Sequence, residues 1–350
     1  MALFGLKHKR VLSIDISSVA VKTLELSKNG NGYQVESFAV VPFNQNLSTR
    51  PKNSDIIADA IKTALIQTHS NQKQAAVAVS GSAVITKVIT LPSALNESEI
   101  EEQILIEADQ YVPYSLNEVN FDFEVQGLNN NNPEMIDVLF VASRRENVDD
   151  RVEALLKAGL KTRLVDVETF AVENAFALLD DTINSKQNQT VAIVDIGATV
   201  TVLNVLHNGR FLYTNEQDFG GKQFIEGLQE HRGLSYQDIY LQLSQASLTD
   251  PYNAEVLAPF KQSMVRQTQR LLQYFVSSSS TGVDCIVLAG GCASIQNIDK
   301  LIEDNTGIPV YIANPFINMS LSPEINSKSL SGIAPAMMIN CGLALRSFEL

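Results

Sequence analysis

The chain has 350 residues, 45% hydrophobic and 19% charged, enough for two domains with separate apolar cores and unlike a disordered chain. A formal net charge of -13 excludes a duplex nucleic-acid binder, whose phosphate contacts need clustered Lys and Arg. Three cysteines (Cys285, Cys292, Cys341) and four histidines without ligand spacing exclude a disulfide framework and a zinc site, and fit a reducing compartment.

No apolar stretch reaches the ~20 residues of a membrane span, and no signal peptide is predicted, so a cytoplasmic protein is expected. One basic run, Lys7, His8, Lys9 and Arg10, precedes the first strand and would suit an anionic membrane surface or plain solvation.

An internal repeat organises the chain. Residues 11–26 read VLSIDISSVAVKTLEL and residues 191–206 read VAIVDIGATVTVLNVL, aligning Val11 with Val191, Asp15 with Asp195, Ile16 with Ile196 and Leu26 with Leu206. Each is a β-rich apolar run, an acidic residue, a tight turn and a second β-rich run. Asn29-Gly30 and Asn208-Gly209 then signal hairpin turns, and strands follow over 33–41 and 210–215. Helices are predicted over 54–68 and 222–231, and further strands over 75–80 and 283–289, each followed by glycine, Gly81 and Gly290.

Between the halves lies an insert. Its expected elements are a strand at 83–91, a helix opened by the capping box Asn96-Glu97-Ser98-Glu99 and closed by Pro113, strands at 119–126 and 135–142, and a helix at 146–158 closed by Gly159. A strand at 162–167 leads out. This order suggests a ferredoxin-like α+β subdomain whose last strand belongs either to it or to the main lobe. Ile104, Leu105, Tyr111 and Pro113 are either a peptide-docking surface or the insert's own core.

The two turns carry the chemistry. Small or hydroxyl residues at Ser17, Ser18, Gly197, Ala198 and Thr199 would let backbone N–H groups cradle phosphate oxygens. Asp15 and Asp195 beside such a cradle would repel polyphosphate without a cation, so their role is to hold Mg²⁺, often through water. Lys22 would place a point charge on a phosphate. Gly290-Gly291-Cys292 after a buried strand suits an adenine or ribose against bare backbone, and Gly220-Gly221 a tight turn at a helix N-terminus. Glu168 and Glu173 are candidates to orient an attacking water, or are first-turn residues favoured by the helix dipole. No nucleophile–base pair for another chemistry is visible.

Two Asp-turn hairpins, an insert between them, Asp195-x-Gly197-x-Thr199 and the GG loop resemble the actin/Hsp70/sugar-kinase superfamily. Within it the chain is similar to the PilM-type family of type IV pilus assembly and, more distantly, to FtsA. The residues carrying this are Asp15-Ile16-Ser17-Ser18 with Lys22, Val79-Ser80-Gly81-Ser82, and Glu107-Ala108-Asp109-Gln110-Tyr111-Val112-Pro113-Tyr114. Asp122-Phe123, Val165-Asp166-Val167-Glu168 and Gly342-Leu343-Ala344-Leu345-Arg346 add to it.

The resemblance implies a duplicated, two-lobed α/β fold. Lobe 1 would comprise 1–82, 166–188 and 331–350, an inserted subdomain 1C would span 83–165, and lobe 2 would span 189–330. It implies ATP and Mg²⁺ between the lobes, with adenosine contacts at Gln267 and Arg270. Ser17 stands where the superfamily usually has glycine, as in PilM-type chains. It further implies docking of the PilN N-terminal cytoplasmic peptide, and a place peripheral to the inner membrane in the platform near the pilus motors. The leading expectation is an ATP-binding scaffold. An active ATPase or small-molecule kinase, and a filament-forming, self-associating protein, stay open.

Overall fold

The structure is a computed structural model that describes residues 10–30, 32–43, 53–129, 131–180, 183, 188–233, 251–279 and 281–348. Of the basic run only Arg10 is among them, and it pairs with Glu36 at 3.4 Å; the rest lies outside the described residues. The chain divides into two compact units, one of residues 1–78 with 155–350 and one of residues 79–154.

The larger unit opens with β1 (Leu12–Ile16), β2 (Ala20–Asn29), β3 (Gly32–Pro42), α1 (Ser54–Thr68) and β4 (Gln74–Val79). β1 is buried throughout, as expected of a strand covered on both faces. Asn53 caps α1 by accepting from the Asp55 N–H at 2.9 Å, and His69 ends it in the left-handed region at φ 49°.

The smaller unit holds β5 (Val84–Pro92), α2 (Glu97–Tyr111), β6 (Val119–Leu128), β7 (Met135–Arg144) and most of α3 (Arg145–Lys157). The expected capping box is present: Asn96 accepts from the Glu99 N–H and Glu99 accepts from the Asn96 N–H. Ile100, Ile104, Ala108 and Val112, one helical turn apart, pack on Ile89, Leu91, Val138 and Phe140 of the sheet. Ile104 is therefore core and not a docking surface. The sheet has three strands in the order β5-β7-β6. The ferredoxin-like expectation fails because the strand that would complete it belongs elsewhere.

That strand, β8 (Lys161–Val167), pairs beside β4 in the larger unit and leads into α4 (Glu168–Phe176). The second half repeats the plan with β9 (Thr190–Ile196), β10 (Thr201–His207), β11 (Arg210–Gln217), α5 (Gly221–Arg232), α6 (Pro251–Ser278), β12 (Cys285–Ala289), α7 (Ile298–Thr306) and β13 (Val310–Ile312). Asn208 and Gly209, at φ 53° and 75°, turn β10 into β11 with the twist a tight hairpin needs. An edge strand β14 (Ser320–Leu321) and helices α8 (Ser327–Ile333) and α9 (Met338–Arg346) complete the described chain.

The two sheets show the duplication directly. One runs β14-β3-β2-β1-β4-β8 and the other β11-β10-β9-β12-β13. In each, an antiparallel three-strand meander is followed by a parallel partner of its first strand: Ser13 opposite Ala76, Val194 opposite Leu288. β8 is thus the counterpart of β13, and the insert falls between the fourth and fifth strands of the first half.

One core joins the halves. Leu24, Leu26 and Val35 share a cluster with Val191, Ile193, Val287 and the buried faces of α4 and α9. Each such side chain contributes about 1.5–3 kcal/mol when fully buried. A second core packs Phe224, Met264, Phe275 and Ile302 on the far face of the second sheet. At Gly342 a Cβ would stand 1.7 Å from the Ala171 carbonyl oxygen, so α9 meets α4 backbone to backbone.

Candidate functional site

The first acidic bend joins β1 to β2. Antiparallel register sets Asp15 opposite Lys22, the first buried at 3% side-chain exposure and the second half-buried at 15%. The Lys22 ammonium stands 2.7 Å from the Asp15 carboxylate and also donates to the Ala336 carbonyl at 2.7 Å. Burial lowers the Lys22 pKa, but Asp15 in contact, with Asp195 and Glu168 further off, outweighs it, so the net shift is upward from 10.5. Ser17 occupies its own turn: its hydroxyl accepts from the Val19 and Ala20 N–H groups and donates to the Ala20 carbonyl. The amides expected to form an anion nest here are bound by that hydroxyl.

The second bend joins β9 to β10 and is built differently. Asp195 lies opposite Val202, where the first bend has lysine. On its other side it lies opposite Ala289, so the glycine loop passes directly beside it. A Cβ at Gly290 would stand 2.4 Å from the Asp195 Oδ1 and 2.4 Å from the Ile196 carbonyl oxygen, and Gly290 is left-handed at φ 83°. Both conditions demand glycine. Gly220 fits for space alone: a Cβ there would lie 2.6 Å from the carbonyls of Gly197 and Ala198.

The N–H groups of Gly221 and Lys222 donate to the Gly197 and Ala198 carbonyls at 3.0 and 2.7 Å. The first amides of α5 thus hold the bend instead of presenting themselves to an anion. The Cys292 thiol donates to the Gly197 carbonyl at 3.5 Å. Burial first, and then Asp195, push its pKa up to about 12, although a hydrogen bond from the Gly221 backbone lowers it. Cys292 is a neutral polar wall of the site.

The two bends meet. Thr199 donates its hydroxyl to Ser18 at 3.0 Å, across 181 residues of sequence. With Lys22 in the fields of both Asp15 and Asp195, this places the two acidic bends around one location. Ser17, Ser18, Lys22, Gly197, Ala198, Thr199, Gly220, Gly221, Gly290 and Cys292 belong to the same neighbourhood, with Gly291 next in the loop. Glu168, buried at the start of α4, also acts on Lys22.

Other candidates are placed elsewhere. Glu173 accepts from the Phe211 N–H at 3.1 Å and pairs with Arg210 at 3.4 Å, where β11 begins. That is the opposite end of the sheet from the bend, so Glu173 cannot orient a water there. Arg270 donates to the Tyr274 hydroxyl at 2.9 Å on its own helix, and Gln267 is half-buried one turn earlier. Neither is joined to the bends by a hydrogen bond.

Sequence reasoning missed Asn340. Fully buried on α9, its Nδ2 donates to the Lys22 carbonyl at 3.0 Å and the Ser13 carbonyl at 3.5 Å, clamping the two strands of the first bend. An amide inside the apolar helix MINCGLALR was the available signal, since buried amides are present for their hydrogen bonds.

The description Type IV pilus assembly protein PilM belongs to a family model that matches residues 13–348. A solved structure described as a PilM-PilN type IV pilus biogenesis complex is 25% identical, covers 97% of this chain and 99% of its own, and superposes with a TM-score of 0.79. The ethanolamine utilization protein EutJ from Carboxydothermus hydrogenoformans is 12% identical, covers 96% of this chain and 89% of its own, and has a TM-score of 0.56. EutJ shares the actin-like fold. With a family match running from the first acidic bend to the end of α9, this chain belongs to the type IV pilus assembly protein PilM family.

Proposed function

We propose that the paired bends bind a magnesium nucleotide, ATP, and that the protein is an actin-like scaffold of the pilus assembly platform at the inner membrane. The observation that carries the site is the Ser18–Thr199 contact, which brings one acidic bend from each half to one place. The donor set fits the group: Asp15 and Asp195 are hard oxygen ligands, and Mg²⁺ prefers one or two carboxylates with waters and phosphate oxygens. At Gly291 nothing lies within 4 Å of where a Cβ would stand, so the bare backbone there leaves room for close approach of a nucleotide. Among the described residues no group of three or more His, Cys, Asp or Glu forms a metal cage, so the phosphates would complete the coordination sphere.

The nucleotide supplies charge that the two halves grip together. Lys22 supplies the counter-charge, Glu168 stands where a water would be oriented, and Cys292 stays protonated. The insert would serve partner docking and the partner would be the PilN N-terminal peptide; the similar structure described as a PilM-PilN complex supports PilN as the partner. Among the described residues no helix is long and apolar enough to cross a membrane, so attachment to the platform would run through such a partner.

Calorimetric titration with ATP and Mg²⁺ tests the site. Wild type should bind, and Asp195→Ala should bind at least about tenfold more weakly, a loss of about 1.4 kcal/mol. Equal affinity in the two would remove the assignment. Pull-down with a synthetic PilN N-terminal peptide separates the scaffold from a kinase, which would have no use for it.

A further inference from the structure

The segment from Gly332 to Asn340 touches both halves of the site. From the second half, Ser294 donates its hydroxyl to the Gly332 carbonyl at 3.0 Å, and the Gly290 N–H donates to the Pro335 carbonyl at 2.8 Å. From the first half, Lys22 donates to the Ala336 carbonyl at 2.7 Å, and Asn340 reaches back to the Lys22 carbonyl at 3.0 Å. Two adjacent carbonyls, Pro335 and Ala336, thus each receive one hydrogen bond, one from either half. Gly290 is the residue whose bare backbone lies on Asp195, and Lys22 is the residue paired with Asp15.

Lys22 has a single ammonium to distribute. Its three donors sit on one nitrogen that a flexible stem carries as a unit, and it prefers anionic oxygen over a peptide carbonyl, so movement toward an anion draws it off a neutral partner. An anionic ligand between the bends competes for it directly, and the partner it can surrender at least cost is the neutral one, Ala336. Asn340 fixes the Lys22 backbone meanwhile, so the side chain moves and the strand does not.

We propose that residues 332–340 are an occupancy sensor: a phosphate-bearing ligand takes the Lys22 ammonium from the Ala336 carbonyl, and the released segment loosens its hold on Gly290. This rests on the ligand reading above and adds a direction to it. The site reports its state to α8 and α9 through one backbone carbonyl. Asn340 is a positioning residue in this scheme and Lys22 is the moving part.

Hydrogen–deuterium exchange on the full chain, with and without Mg²⁺ and a non-hydrolysable ATP analogue, tests it. On saturation the bends at 15–20 and 195–201 should exchange more slowly, while 332–340 and the Gly290 amide exchange about fivefold faster, the factor one net hydrogen bond represents. Lys22→Met should show the faster exchange at 332–340 without ligand and no further change with it. Should that variant fail to fold, the neutral pair Asp15→Asn with Lys22→Met should show the same ligand-free acceleration, with β9 and β10 unchanged as a control. Protected bends with unaltered exchange at 332–340 would overturn the sensor alone. Unprotected bends and no heat of binding would overturn the ligand reading and the sensor with it.

Discussion

The first and second acidic bends descend from one plan but solve different electrostatic problems. Asp15 is neutralised within its own hairpin by Lys22, and its turn is closed by the Ser17 hydroxyl. Asp195 faces Val202 across its hairpin and is bordered by two glycine turns and a thiol held above the range where it ionises. The first bend therefore carries its counter-charge within its own hairpin, while the second is bordered by loops from outside its hairpin. A duplicated fold need not duplicate its charges: one copy can carry a counter-charge where the other carries valine.

The largest effect expected from breaking this asymmetry comes from Lys22→Met. It leaves the buried Asp15 carboxylate without its cation, which typically costs about 3–5 kcal/mol, and urea unfolding should show it. Val202→Met at the equivalent position of the second bend should cost no more than about 1.5 kcal/mol, as an apolar exchange. Similar losses at the two positions would show that the bends are not electrostatically distinct.

Alkali separates the bends next. The Cys292 thiol ionises near 9.0 when unfolded but only at about 12 when folded, so between those values the unfolded state binds fewer protons. Its contribution to stability is complete below about pH 9 and falls by about 1.4 kcal/mol per pH unit above it. Stability curves from pH 8 to 10 should flatten by that amount in Cys292→Ala. Lys22 follows the same sign at higher pH: its stabilisation persists up to 10.5 and disappears as pH rises through its elevated folded value.

The smallest effect should come from making the first bend more like the second. Ser17→Gly removes the hydroxyl that occupies the turn amides, at a cost of about 1 kcal/mol. The freed N–H groups should then improve phosphate binding at this bend, measured by titration with Mg²⁺ and ATP. Unchanged affinity together with a stability loss would make Ser17 a purely structural device.

Much of this was legible in the sequence because it is local. The repeated acid-and-turn pattern located both bends, hydrophobic periodicity located α2 and its core face, and Asn96 with Glu99 marked its start. What was not legible depends on distant partners. β8 looks like the last strand of an insert until its neighbour β4 is seen, 87 residues earlier at their first residues (Gln74 and Lys161). Lys22 was recognised as a charge for phosphate, yet its own partners Asp15 and Ala336 follow from hairpin register and from a contact 314 residues away. Glu173 satisfied the same local criteria as Glu168, but helical geometry five residues on carried it to Arg210 instead. Gln267 and Arg270 came from family likeness, and Arg270 is turned to Tyr274.

Gly342 touches no candidate ligand, but it sets how closely two helices lie. With nothing but peptide backbone between them there, α4 and α9 have no side chain to yield when pushed. One methyl group would wedge them apart and move Glu168 and Asn340, which act on Lys22 from different helices. The residue least able to change in this protein is to be sought outside the two bends, at a spot whose whole contribution is thinness.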